Sequence, residues 1–187
     1  DRIFRQEDTS GIVLAAHAVH KGITPNSDGK DFVLVPAATE LEASELVLRL
    51  TQTLYDTRAN FQVLSPRHSG EAGVTNLNDR IRAQLNPPQT GMAETRIGGS
   101  VVREGDRIMV VKNDYQKGVY NGDVGTVRRI DRAAKEIEAS VFGLPGTPST
   151  LVRFPLNEAA KTLRLAYAQT VHKCVHPDTL VWHAGGL

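Results

Sequence analysis

The hydrophobic period of this chain changes near Pro88, from alternating strands and helices to short strands alone, which excludes a single uniform architecture. Ahead of the change, Asp8-Thr9-Ser10 offers N-cap residues to an amphipathic helix. That helix carries Ile12, Ala15, Ala16 and Val19 on one face and ends at Gly22, with Pro25 beyond. Asp31-Phe32-Val33-Leu34-Val35-Pro36 reads as a buried strand closed by proline. Thr39 and Glu42 make a capping-box pattern for a second helix, with Leu46, Val47, Leu50 and Leu54 as its expected buried face. Phe61-Gln62-Val63-Leu64-Ser65-Pro66 is a second buried strand. After the loop Ser69-Gly70-Glu71-Ala72-Gly73, a third helix begins near Val74, presents Leu77, Ile81 and Leu85, and stops at Asn86-Pro87-Pro88. Parallel strands need crossover helices, so this order predicts a parallel α/β layer.

Residues 87–100, rich in Pro, Gly, Gln and Thr, read as a linker. Beyond it come Arg107-Ile108-Met109-Val110-Val111, Gly125-Thr126-Val127-Arg128-Arg129-Ile130, Ile137-Glu138-Ala139-Ser140-Val141 and Leu151-Val152-Arg153-Phe154, each bounded by turn chemistry. Strands so closely spaced predict a small antiparallel barrel of SH3-like size over 101–157, inserted into the α/β layer. The chain is expected to rejoin that layer over 158–173, through Leu163-Arg164-Leu165-Ala166-Tyr167-Ala168. Asn121-Gly122-Asp123 is read as a tight hairpin rather than a functional site. Lys112, Lys117, Arg128 and Arg129 are a solvated face or, alternatively, contacts to a polyanion.

The formal charge of +1 gives no global basic field, so any nucleic-acid contact has to be local. With 40% hydrophobic and 23% charged residues, the chain has ordinary globular composition. It has no apolar run of about 18 residues, so no membrane span is expected, and a cytoplasmic location is. Cys174 is the sole cysteine and cannot form an internal disulfide. The start Asp1-Arg2-Ile3-Phe4 lacks methionine and suggests a chain beginning inside a larger protein, the alternative being a processed terminus.

Anchored on Ile3-Phe4-Arg5-Gln6, on Val63-Leu64-Ser65-Pro66 and on Gly105-Asp106-Arg107-Ile108-Met109, three stretches in order resemble the RecD-like, superfamily-one 5′-to-3′ DNA helicases. The first is Ile3-Phe4-Arg5-Gln6 with the Ala-rich helix after it. The second is Val63-Leu64-Ser65-Pro66 with Gly70, Gly73-Val74, Leu77-Asn78 and Leu85-Asn86-Pro87. The third is Gly105-Asp106-Arg107-Ile108-Met109, Asn113-Asp114-Tyr115, Asn121-Gly122-Asp123-Val124-Gly125 and Leu165-Ala166-Tyr167-Ala168-Gln169-Thr170-Val171-His172-Lys173. The resemblance implies an α/β fold: a RecA-like parallel-sheet domain of the P-loop NTPase type, the second of two motor domains, with an SH3-like barrel inserted. Residues 1–100 would be its first part.

On this resemblance Arg5, with Gln6 beside it, would reach the γ-phosphate of ATP across a cleft, a role that suits a permanently charged, two-pronged donor. Read alone, Arg5 is a surface or N-capping arginine, and only the resemblance reverses that reading. Thr170 and His172 would hold the single-stranded DNA backbone without reading bases; read alone, they are a strand residue and a partly buried histidine. Ser65 and Asn78 are further DNA-binding candidates, against the plainer readings of a strand terminus and a solvated helix residue. No G-x-x-x-x-G-K-[ST] loop occurs, so ATP with Mg2+ would be held mainly by an N-terminal RecA-like half, without which the fragment is expected to be inactive. That half, single-stranded DNA and recombination-complex subunits are the implied partners.

The family pattern breaks after His172-Lys173. Cys174-Val175-His176-Pro177-Asp178-Thr179-Leu180-Val181 resembles instead the opening of an intein, which makes 174–187 an expected intein segment. Cys174 would attack the Lys173 carbonyl to give a thioester. The alternatives are a helicase motif with Cys in place of Ser or a buried inert cysteine. Cys174, His176 and His183 fall short of a four-ligand zinc pattern, so no metal site is expected. Two functions follow: a fragment of an ATP-dependent helicase of DNA recombination or repair, or a non-catalytic single-stranded nucleic-acid-binding module centred on the barrel.

Overall fold

The structure, a computed structural model, describes residues 10–142, 149–170 and 179–182. The chain divides into two compact units, Asp1–Ala38 and Thr39–Leu187. In the first, Ser10 caps helix α1 (Gly11–His20) by accepting from the Ile12 amide. The face turned inward is Gly11, Val13 and Ala15, while Ile12 and Val19, expected to be buried, are exposed. The expected strand at residues 31–36 does not form. Val33 is 64% exposed, and the segment's local bonds are an arc in which the Ser27 hydroxyl accepts from the Leu34 amide and lies against the Leu34 carbonyl. A buried strand needs a neighbour for its amides and carbonyls, and the described residues of this unit contain no second strand.

The second unit opens with α2 (Glu40–Asp56), capped by the Thr39 hydroxyl, which accepts from the Glu42 amide as the capping pattern predicts. Its buried face is Ser44, Val47, Leu48 and Thr51, spaced i, i+3, i+4, i+7; Leu50 is exposed. Strand β1 (Phe61–Ser65) is buried throughout, and α3 (Val74–Leu85) follows with Leu77 and Ile81 in the core. The helices lock together where Arg80 donates to the Ser44 hydroxyl at 2.7 Å and Gln84 to the Leu48 carbonyl at 3.0 Å.

An antiparallel system follows. Strands β2 (Glu94–Ile97) and β3 (Ser100–Arg103) form a hairpin that begins inside the stretch expected to be a linker and runs past its end. Its two-residue turn, Gly98-Gly99, has both φ angles positive, the geometry that matches strand twist and that glycine adopts without cost. Strands β4 (Arg107–Val110), β5 (Val124–Asp131), β6 (Glu136–Phe142) and β7 (Thr150–Pro155) fall where alternation placed them. Helix α4 (Leu156–Thr162), a single short segment without a strong period, leads to β8 (Leu163–Leu165). The five-stranded sheet has the order β7-β6-β5-β4-β8. Leu163–Leu165, expected to rejoin the α/β layer, therefore completes the antiparallel sheet, because its apolar alternation pairs it with β4.

After only Ala166 and Tyr167 the chain forms β9 (Ala168–Thr170), which pairs parallel with β1; β10 (Thr179–Trp182) pairs parallel with β1 on the other side. The parallel α/β layer and the antiparallel side domain of the expected fold are both present. No helix among the described residues is long and apolar enough to cross a membrane.

Candidate functional site at the carboxyl edge of the parallel sheet

Strands β1 and β9 run in register, Val63 against Ala168, Leu64 against Gln169 and Ser65 against Thr170, so Ser65 and Thr170 end neighbouring parallel strands. That edge is where α/β sheets present ligand-binding groups. Ser65 is fully buried; its hydroxyl donates to the Ala72 carbonyl at 2.8 Å and accepts from the Arg67 amide at 3.3 Å. The loop between β1 and α3 is further closed by bonds from the Val74 amide to the Arg67 carbonyl and from the Thr75 amide to the His68 carbonyl. The first amides of α3 are thus used within the protein, and this loop is no open phosphate cradle. Glu40 at the start of α2 pairs with Arg67 across the same loop.

Asn78 is buried and accepts from the Ala168 amide at 3.0 Å while donating to the Ala168 carbonyl at 2.8 Å. Its second amide proton goes to the Val74 carbonyl at 2.9 Å. Because β9 is an edge strand among the described residues, Asn78 takes the part that a further strand would play, and it fixes the segment two residues before Thr170. Of the residues singled out in the sequence, Ser65, Asn78 and Thr170 are brought together, the first two with their polar atoms turned inward and Thr170 half-buried. Arg5, Gln6, His172 and Cys174 lie outside the described residues, as do His176 and His183. Among the described residues no group of three His, Cys, Asp or Glu is placed to hold a metal ion.

Sequence reasoning missed the junction between the two sheets. Asp106 is fully buried, and its carboxylate accepts from Asn86 Nδ2 at 2.6 Å, the Arg103 amide at 2.7 Å and the Tyr167 hydroxyl at 2.9 Å. Burial raises this carboxyl above the usual carboxylate range, and those three hydrogen bonds oppose the rise. Burial, then the neighbouring Asp106 charge, pushes the Tyr167 phenol far up, so it stays a donor. Arg107 donates to the Phe61 carbonyl at 2.7 Å, and burial lowers its pKa. Gln62 donates to the Tyr167 carbonyl at 3.3 Å. The signal was the run Gly105-Asp106-Arg107, but a charged pair after a glycine reads as a surface turn until its partners are known.

With this geometry in place, similarity to known proteins becomes informative. Residues 77–140 match the family described as the SH3 domain of ATP-dependent RecD-like DNA helicases. The chain is 28% identical over 174 residues to the ATP-dependent RecD2 DNA helicase of Deinococcus radiodurans. Both matches are to RecD-like helicases. The alignment to RecD2 covers 92% of this chain and 22% of that protein, so the chain spans about a fifth of the relative's length. Two structures of Bacteroides Pif1 share the fold. The one bound to single-stranded DNA has 18% identity and a TM-score of 0.51, covering 97% of this chain and 44% of that one. The other, in complex with ADP-AlF3 and single-stranded DNA, has 17% identity and a TM-score of 0.52, covering 100% and 45%. The fold is mixed α/β, with a parallel sheet and an antiparallel side domain, and it is shared with these Pif1 structures.

Proposed function

We propose that this chain is the second motor domain of an ATP-dependent, RecD-like DNA helicase that moves 5′ to 3′ on single-stranded DNA in recombination or repair. The observation that carries this reading is the end of β9: Thr170 stands at the carboxyl edge of the parallel sheet beside Ser65, on a strand held by Asn78. A hydroxyl there, followed by the His172 imidazole, suits donation to backbone phosphates without base recognition. Ser65 and Asn78 then act by positioning the strand and its loop. ATP with Mg2+ would be bound mainly by the N-terminal RecA-like half, with Arg5 and Gln6 contributed from this chain, and the described residues offer no phosphate loop of their own. The domain division that goes with this reading is an α/β part through α3, an antiparallel side domain from β2 to β8, and a return to the α/β layer at β9. A cytoplasmic setting and recombination-complex partners go with it.

Binding of the whole chain to a fluorescent oligothymidylate, measured at two salt concentrations, tests the site. Thr170→Ala is expected to weaken binding roughly tenfold at both salt concentrations, the worth of a hydrogen bond to a charged group, and to leave the salt slope unchanged, because a neutral hydroxyl releases no counterion. Unchanged affinity at both salt concentrations would exclude the phosphate contact.

For residues 174–187 the intein reading rests on Cys174 with Asp178-Thr179-Leu180-Val181. The parallel pairing of Thr179–Trp182 with β1 favours the competing reading, a host strand that continues past a Cys-bearing helicase motif. Sequence beyond Leu187 separates them: a histidine-asparagine ending followed by a resumed Gln-Gly host motif identifies an intein.

A further inference from the structure

The loop 111–123, between β4 and β5, carries the two tyrosines of the barrel that face solvent, and both are held in place. Tyr115 is 77% exposed and Tyr120 is 49% exposed. Their rings meet edge to face, with centroids 6.0 Å apart and planes at 73°. The Tyr115 hydroxyl accepts from Asn113 Nδ2 at 3.2 Å. Exposed tyrosines on a mobile loop would cost ordering entropy on binding, but this loop is built. The Asp114 and Val119 backbones exchange both hydrogen bonds, at 2.8 and 3.0 Å. The Asp114 carboxylate caps the Gln116 and Lys117 amides, and the Asn121 amide donates to Asn113 Oδ1 at 2.7 Å. The Tyr120 amide donates to Asp123 Oδ2 at 2.7 Å, and Gly122, at φ +103°, makes the turn that the sequence marked as a hairpin.

We infer that this loop is a stacking ledge for the bases of single-stranded nucleic acid, with Tyr115 and Tyr120 as the rings and Lys112 and Lys161 as cations beside it. The inference rests on the nucleic-acid reading above and adds a second contact on the barrel. Lys112 and Lys161 are both exposed, and the bond from the Val111 amide to the Thr162 carbonyl, 2.7 Å, brings their two segments together. Lys117 is not part of the ledge: Asp114 and Glu158 neutralise it, and its ammonium lies 5.4 Å from the Phe154 ring centre. The chemistry favours a base over a protein partner. A protein interface needs a contiguous apolar centre, whereas Gln116, Lys117, Gly118, Asn121 and Gly122 around these rings are polar or lack a side chain. Solvent-facing rings on a segment that also carries exposed lysines are the chemistry that stacks bases and pairs with phosphates regardless of sequence.

The test uses the whole chain with two probes of equal length and charge, oligothymidylate and its abasic analogue. Tyr115→Ala is expected to weaken oligothymidylate binding at least about fivefold, to leave abasic binding unchanged, and to be rescued by Tyr115→Phe, which keeps the ring. On the wild-type chain, photo-crosslinking of a 5-iododeoxyuridine oligomer should label the peptide carrying Tyr115 or Tyr120, a readout independent of how any variant folds. If Tyr115→Ala and Tyr120→Ala bind as wild type while Thr170→Ala is impaired, the ledge is refuted and the helicase reading stands. A wild-type chain that binds neither probe refutes both. Dimers that dissociate on Tyr115→Ala would also overturn the ledge, the occupant then being a second copy.

Discussion

Ser65 and Thr170 are register partners at the ends of β1 and β9, and they divide the work of that edge. Ser65 spends its hydroxyl on the loop, donating to Ala72, while Thr170 keeps part of its surface in solvent. Ser65→Ala is therefore expected to lower unfolding stability by about 1–2 kcal/mol and to leave the salt slope of DNA binding unchanged. Urea unfolding and salt-dependent anisotropy on one preparation check both halves.

Asn78 has a larger structural task, since it satisfies both backbone groups of Ala168. Asn78→Ala strands an amide and a carbonyl in a buried place and should cost about 2–4 kcal/mol by urea unfolding. Asn78→Asp should not restore it, because a carboxylate cannot donate to the Ala168 carbonyl. Wild-type stability in either variant would show that water replaces the side chain.

At the sheet junction, Tyr167→Phe removes one charge-assisted bond to Asp106 and is expected to cost about 1–3 kcal/mol. The pH dependence has a defined sign. The Asp106 carboxyl is raised above its ordinary 3.8, so the folded chain binds that proton more tightly than the unfolded chain. Its contribution is fully present below the unfolded value and is lost as pH rises through the folded one. Unfolding midpoints from pH 4 to 7 should show the wild type losing stability relative to Asp106→Asn; the opposite slope would mean that the three hydrogen bonds outweigh burial.

In a protein that also contains the N-terminal motor half, Arg5→Ala is expected to abolish DNA-stimulated ATP turnover, by roughly a thousandfold or more if Arg5 acts as an arginine finger. Steady-state hydrolysis with saturating single-stranded DNA measures it. Normal turnover would remove Arg5 from the nucleotide site and return it to a surface role.

What could be read in advance followed from local periodicity. Strands β4 to β7 carry their own alternation, α2 its cap and α3 its Leu77 and Ile81 stripe, so these are legible in the sequence. The buried face of α2, by contrast, is Ser44, Val47, Leu48 and Thr51 and shares only Val47 with the expected one. The segment at 31–36 was not, because an apolar run specifies burial but not the neighbour that would pair with it. Leu163–Leu165 was assigned to the wrong sheet for a related reason: a three-residue apolar strand suits either layer, and only the β4 pairing chooses. At the candidate site, Ser65 and Asn78 were found as polar residues in the right places, but their inward bonds were invisible without the partners Ala72 and Ala168. Asp106 was legible as a motif and illegible as a buried junction.

The handover from β8 to β9 takes two residues, both buried, with the Ala166 amide bonded to the Arg107 carbonyl. A connection that short has no slack to absorb movement. A pull on the antiparallel sheet would reach Thr170 almost undiminished, so force applied far from the sheet edge becomes a displacement at the residue proposed to meet the strand.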